Sequence, residues 1–395
     1  MKRIIYLCIY FIDCLVPKDK KRIAFVSFPD VSDNSFAMFK YLFLKYREDG
    51  LITSWLLNDL EKKDEYKDMI FNHLNISTTD TGQILFVKKN SLMGFLHYFR
   101  SKYVFFTHGL YPNIGYSKKH VLINLWHGMP LKNIGLLIDS NNISIPISSY
   151  SIATSEFFQK VISKAFNLNL DSVIVSGLPR NDLLFQSQNT LSKFGLNKDY
   201  YKKIFLWTPT YRQATIGYSK IDGDFVSGLP VISNNYNELN NRLNFLDCFM
   251  VVKLHPMDIL NQGKFEDFTN LLFLKNGDLE VKNCQLNELL GDIDVLLTDF
   301  SSTYIDFMLL NKPIGFVMDD MESFSKSRGF VIENPLDYMP GEFISSIHEF
   351  FDFLKRTTDG EDRFRDKRKE VNSIFNKEKT DFSQKLWIEI LKRED

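Results

Sequence analysis

Short apolar runs rich in Val, Ile, Leu and Phe recur along the chain, separated by segments with the spacing of amphipathic helices. That alternation predicts parallel α/β units, whose strands are buried on both faces beneath covering helices. In the first half, strands are expected near Arg22 to Phe28, Ile52 to Leu57, Gln83 to Val87, Tyr103 to Thr107 and Val121 to Trp126. In the second half they are expected near Ile204 to Thr208, Cys248 to Leu254, Leu271 to Phe273, Val295 to Thr298 and Ile314 to Val317. Two similar halves emerge. Two doubly wound domains facing each other would set strand carboxyl ends, loops and helix N-termini on either wall of a cleft, where the chemistry is expected.

The polar, lysine-rich stretch Gln186 to Lys203 suits a connection between the halves. The expected organisation is therefore an N-terminal basic and apolar segment (1–21), a first domain (22–185), a linker (186–203), a second domain (204–374) and a C-terminal helix (375–395). At 395 residues the chain exceeds what a single core usually holds, and 36 Phe supply aromatic packing for two. The 48 basic residues almost balance 49 acidic ones, so no global field draws the protein to nucleic acid. Cys8, Cys14, Cys248 and Cys284 form no CxxC pair and have no His at metal-ligand spacing, which argues against a disulfide framework or structural zinc and suits a reducing cytosol.

The opening residues resemble a signal peptide, with Lys2-Arg3 ahead of an apolar run from Ile4 to Val16, but lack a small-residue cleavage site. Asp13 interrupts the run, which is also shorter than the ~20 apolar residues of a membrane-spanning helix. Lys2, Arg3, Lys18, Lys20, Lys21 and Arg22 flank Tyr6, Ile9, Tyr10 and Phe11, a mix suited to a helix lying on an anionic membrane surface. A helix packed on the first domain is the alternative.

Candidate chemistry collects where strands end. In Asp294 to Asn311 an apolar strand runs into a helix through Asp299-Phe300-Ser301-Ser302. Ser301 and Ser302 stand at the expected cap, where backbone N–H groups, hydroxyls and the helix dipole suit a phosphate. Asp299 suits a hydroxyl or ammonium group. His127-Gly128 follows a buried strand, and Pro130 blocks an immediate helix, so His127 is presented at a strand terminus. Histidine there can take a proton near neutral pH, and Gly128 permits close approach; a hydrogen-bonded structural histidine is the other reading. Lys132 on the same loop is a phosphate partner or a solvated lysine.

His255, before Pro256, repeats the arrangement in the second half and could stabilise charge on a phosphoryl oxygen. Leu206 to Arg212 offers Thr208, Thr210 and the guanidinium of Arg212. Gly177 to Asp182 supplies Arg180 in a turn, where Asn181 or Asp182 capping a following helix is the stronger reading. Arg328, in Ser325 to Gly329, lies on a segment placed to close over a ligand. His73, His97, His108, His120 and His348 all read as structural. No Walker loop, GxGxxG, HExxH or paired-aspartate signature is present, which argues against NTPase, dehydrogenase and metal-hydrolase chemistry.

Taken in order, WHGMPLK, ATSEFF, GLPRND, TPTYR, KLHP and TDFSSTYIDFMLLNKPIGF resemble the CDP-glycerol glycerophosphotransferase family of teichoic-acid and capsule synthesis, across most of Phe25 to Phe330. The resemblance implies a GT-B-type α/β fold with two Rossmann-like domains. It implies transfer of glycerol phosphate or ribitol phosphate from a CDP-linked donor to a hydroxyl of a lipid-linked or polysaccharide acceptor, with release of CMP. It assigns functional roles to His127 and His255, and places Arg212, Ser301 and Ser302 around the donor's phosphates. No cofactor is required and Mg²⁺ is compatible; a peripheral location at the cytoplasmic membrane face is implied. Met129 stands where the family commonly has Thr, and Asp381-Phe382 where it has Asp-Gly. A GT-B glycosyltransferase using a nucleotide sugar and a non-catalytic membrane-associated scaffold are the alternatives.

Overall fold

The computed structural model describes residues 2–76, 83–111, 114–139, 143–186, 189–209, 215–216, 219–220, 229–254, 267–318 and 329–394. They divide into two compact units. The first holds Met1–Gly128, Gly135–Leu183 and Lys377–Asp395, and the second holds Met129–Ile134 and Leu184–Asn376.

In the first unit, strands β1 (Asp19–Val26), β2 (Ile52–Leu57), β3 (Ile84–Lys88), β4 (Ser101–Phe106), β5 (Val121–Asn124), β6 (Tyr150–Ala153) and β7 (Val173–Val175) form a parallel sheet in the order β3-β2-β1-β4-β5-β6-β7. Five match expected strands. β6 and β7 are additional; each is short, and serines dilute the apolar signal of β6. Side-chain alternation sorts the core into two layers. On one face Phe25 stacks on Phe105 at 5.6 Å and lies 5.3 Å from Trp55. On the other, Ala24, Val26, Val104 and Phe106 pack with Tyr98, Phe99 and Leu122.

The second unit repeats the design. Strands β8 (Lys203–Trp207), β11 (Cys248–Lys253), β12 (Leu271–Leu274), β13 (Val295–Thr298), β14 (Ile314–Val317) and β15 (Glu342–Ile344) form a parallel sheet in the order β12-β11-β8-β13-β14-β15. A small antiparallel ribbon, β9 (Thr215–Ile216) with β10 (Ser219–Lys220), follows β8. Phe205, Trp207, Met250, Val252, Val295 and Leu297 meet Phe350, Phe353 and Leu354 of the helix Ile347–Thr358 in the core.

Three boundaries differ from those expected. Residues 186–203 contain tightly docked turns of the second unit: Asp292 accepts the backbone N–H of Thr190, and Lys193 donates to the Asn283 carbonyl. The last helix, Phe382–Glu394, belongs to the first unit. Asp182 caps it, accepting N–H bonds from Phe382 and Ser383 at 2.8 and 3.0 Å, instead of capping a helix of its own. Gly177, at φ +77°, leaves room for the Phe382 ring, which any Cβ would meet at 2.3 Å. Met129–Ile134 is grouped with the second unit, where Asn133 N–H donates to the Gly329 carbonyl and Val331 N–H to that of Leu131.

The N-terminal segment is a helix, Lys2–Leu15. Asp13 is the buried anchor of its inner face: it takes hydrogen bonds from His120 Nε2 (2.6 Å), Lys18 Nζ (2.7 Å) and the Ser117 N–H (2.8 Å). The outer face exposes Ile4, Leu7, Phe11 and Leu15. Among the described residues no helix is long and apolar enough to cross a membrane.

Candidate active site

Sheet order decides where a site can form. In an open parallel sheet, the strands on either side of the point where build-out reverses leave a crevice at their carboxyl ends. In the first unit that point lies between β1 and β4, and in the second between β8 and β13.

In the first unit, Val26, Phe106 and Asn124 align across β1, β4 and β5. The chains then leave the sheet together, which brings the His108 and His127 rings into parallel stacking, 4.6 Å apart and 10° from coplanar. The backbone at His127 is shaped by left-handed Trp126 (φ +51°) and by Gly128 (φ +134°). It is also pinned from behind. Asn34 donates to the carbonyls of Leu125 and Trp126, and Arg180 Nη1 bridges the His127 carbonyl (3.0 Å) and the Asp33 carboxylate (2.9 Å). Arg180, read from sequence as part of a turn, thus holds the backbone that presents His127.

Crowding by protein atoms, followed by the adjacent His108, outweighs the pull of Asp33 and pushes the His127 pKa down from 6.5 to about 4. The residue as a whole remains exposed. At pH 7 the imidazole is therefore neutral and reachable, as a proton acceptor must be. Burial also lowers the pKa of His108. His108, read from sequence as structural, stands directly against the candidate base. The signal was present in the sequence, since Thr107-His108-Gly109 and Trp126-His127-Gly128 both follow buried strands.

In the second unit, Thr208 and Thr298 leave β8 and β13 side by side, and their hydroxyls are bonded at 3.1 Å. Asp299 follows, nearly buried, and then Phe300, whose ring lies 5.4 Å from Phe330. Lys132 sits on the same side of this unit through its bridge to Phe330. The cap differs from expectation. Ser301 Oγ accepts the Thr303 N–H at 3.3 Å, whereas Ser302 makes no side-chain capping bond. The helix is also short, Thr303–Phe307 followed by a single 3₁₀ turn, so its dipole offers less than the long helix expected to Asn311. Thr208, Asp299, Ser301, Ser302 and Lys132 are thus gathered in one unit, and His127 and Arg180 in the other. Thr210, Arg212, His255 and Arg328 lie outside the described residues. Among the described residues no cluster of three or more His, Cys, Asp or Glu is placed to hold a metal ion.

The sequence profile of the CDP-glycerol:poly(glycerophosphate) glycerophosphotransferase family matches residues 8–387. The chain belongs to this family. Among curated relatives, the teichoic acid poly(glycerol phosphate) polymerase of Bacillus spizizenii is 24% identical over 98% of the chain and 96% of its own length. The teichoic acid glycerol-phosphate transferase of Staphylococcus aureus is 25% identical, over 90% and 89%. The chain spans only 48% of the poly(ribitol-phosphate) polymerase of Bacillus spizizenii, at 26% identity over 76% of the chain. In fold, the chain superposes on the wall teichoic acid polymerase TagF with a TM-score of 0.74 at 20% identity, over 100% of this chain and 92% of that one. The expected GT-B-type class with two Rossmann-like halves is borne out.

Proposed function

We propose that the protein transfers a polyol phosphate, glycerol phosphate or ribitol phosphate, from a CDP-linked donor to a hydroxyl of a teichoic-acid acceptor, releasing CMP. The observation that carries this reading is a neutral, exposed His127 at a sheet crevice, in a chain whose family is defined by that chemistry. His127 removes the acceptor hydroxyl proton, and the oxygen attacks the phosphorus bearing the polyol. The bond from that phosphorus to the bridging oxygen breaks, and CMP departs with that oxygen. Phosphoryl transfer depends chiefly on position and charge neutralisation. Ser301, Ser302, Thr208 and Lys132, with Thr210, Arg212, His255 and Arg328, are the groups available to the donor's phosphates. The reading requires no cofactor; should Mg²⁺ accompany the diphosphate, Asp299 would be the carboxylate to hold it, and the ion would supply charge neutralisation.

The test is direct. Incubated with CDP-glycerol, CDP-ribitol, UDP-glucose and a soluble poly(glycerol phosphate) oligomer, the protein should release CMP from one CDP donor. Release of UDP alone would replace this reading with glycosyl transfer.

The acceptor in this reading is lipid-linked or part of a polysaccharide, and the protein sits peripherally at the cytoplasmic membrane face. The support is the N-terminal helix, packed through Asp13 on one side and exposing Ile4, Leu7, Phe11 and Leu15 on the other. Removing Met1 to Pro17 should lower co-sedimentation with anionic liposomes several-fold; unchanged partitioning would withdraw the membrane assignment.

A further inference from the structure

The β1/β4 crevice carries one large group that the reaction above leaves unused. Phe28, two residues past the end of β1, is 63% exposed although the residues that end the strand, Ile23 to Val26, are buried. Its ring meets His108 edge-on at 5.7 Å, His108 stacks on His127, and His127 lies 4.1 Å from Trp126. Four rings thus form a continuous ladder leading from open solvent to the candidate base.

The loop that carries Phe28 is fixed in place. Ser32 N–H donates to Ser27 Oγ at 3.0 Å, and Ser32 Oγ donates to the Pro29 carbonyl at 2.6 Å. Val31 and Asp33 adopt left-handed φ of +53° and +60°, conformations that persist only where the surroundings impose them and that cluster at functional sites. An apolar ring held rigidly in water beside a reactive imidazole is arranged for a ligand.

We infer that Phe28 and His108 form the acceptor platform, on which a sugar or polyol lays its C–H face while presenting a hydroxyl to His127. The inference rests on His127 being the base. The charges nearby favour an uncharged ligand surface over the donor's diphosphate: Arg180 is committed to Asp33 and to the His127 carbonyl, and Lys89 Nζ to the Gly109 carbonyl. Aromatic faces bind such C–H surfaces through contact area and dispersion, with little demand on charge.

The experiment uses the full chain and two readouts. With CDP-glycerol and a soluble poly(glycerol phosphate) oligomer, Phe28→Ala should raise the oligomer's KM about ten-fold while the donor's KM shifts less than about two-fold. Phe28→Trp should recover the wild-type value. Phe245→Ala, which removes another exposed phenylalanine from the second unit, should leave both constants alone. An oligomer KM unchanged in Phe28→Ala, or a rise in the donor's KM instead, overturns the platform. Oligomer binding without donor, followed through Trp126 fluorescence, gives the second readout and should weaken in Phe28→Ala. If wild-type protein released no CMP, the transferase reading would fall alone, because this binding measurement would still decide whether Phe28 holds the oligomer.

Discussion

Replacing His127 with Ala should reduce CMP release in the presence of acceptor by roughly 10²–10⁴-fold, the usual contribution of a positioned general base. The residue is exposed and its backbone is held by Asn34 and Arg180 independently of the side chain, so the variant should fold. A variant transferring at the full wild-type rate would remove His127 from the chemistry. The pH profile gives an independent check. With its folded pKa lowered from 6.5 to about 4, the base stays unprotonated through the mildly acidic range. The acid limb of kcat/KM should therefore lie well below pH 6.5. The linked stability runs the same way: protonation favours the unfolded chain as the pH falls from 6.5 towards 4. A limb centred at 6.5 would show that the stacked environment does not act on the base.

His120→Ala should cost about 1–3 kcal/mol, the range for removing one partner of a buried hydrogen-bonded polar group. His120 is 2% exposed, and its two ring nitrogens lie 2.6 Å from the Asp13 carboxylate and 2.7 Å from the Ser101 carbonyl. Removing the ring leaves Asp13 with only Lys18 and the Ser117 N–H and frees the inner face of the first helix. Burial alone would raise the Asp13 pKa, but the bonds from His120, Lys18 and Ser117 outweigh it and hold it below 3.8. Its stabilising contribution is therefore present above that value and lost as the pH falls through the lower folded pKa. Thermal melts should show a drop of several degrees, and limited proteolysis should cut first within residues 2–15. A melt within a degree of wild type would show that the helix is held mainly by Ile9 and Val16 against the core.

What could be read from the sequence tracked the range of the interactions. All ten expected strands are present because each carries its own apolar run. The short β6, β7 and β15 owe their pairing to neighbours and leave little local trace. His127 stood out through its flanking Gly128 and Pro130. Its supports did not, because Asp33, Arg180 and His108 approach it from elements distant in sequence. Asp13 looked like a flaw in an apolar run, since its partner His120 lies 107 residues away. Asp182, placed next to a turn, reads as a local cap, whereas its amide partners lie 200 and 201 residues further on.

The long reach of Asp182 also bears on how the chain comes off the ribosome. The helix it caps, Phe382–Glu394, lays Trp387 against Tyr103 at 4.9 Å and against the Phe105 ring at 6.3 Å. Synthesis runs from the N-terminus, so the unit begun first is sealed last, after Leu184–Asn376 has already emerged. Until then the part of the aromatic sheet face around Tyr103 and Phe105 lacks its cover in the nascent polypeptide, a natural landing place for a chaperone and a vulnerable surface whenever translation stalls late.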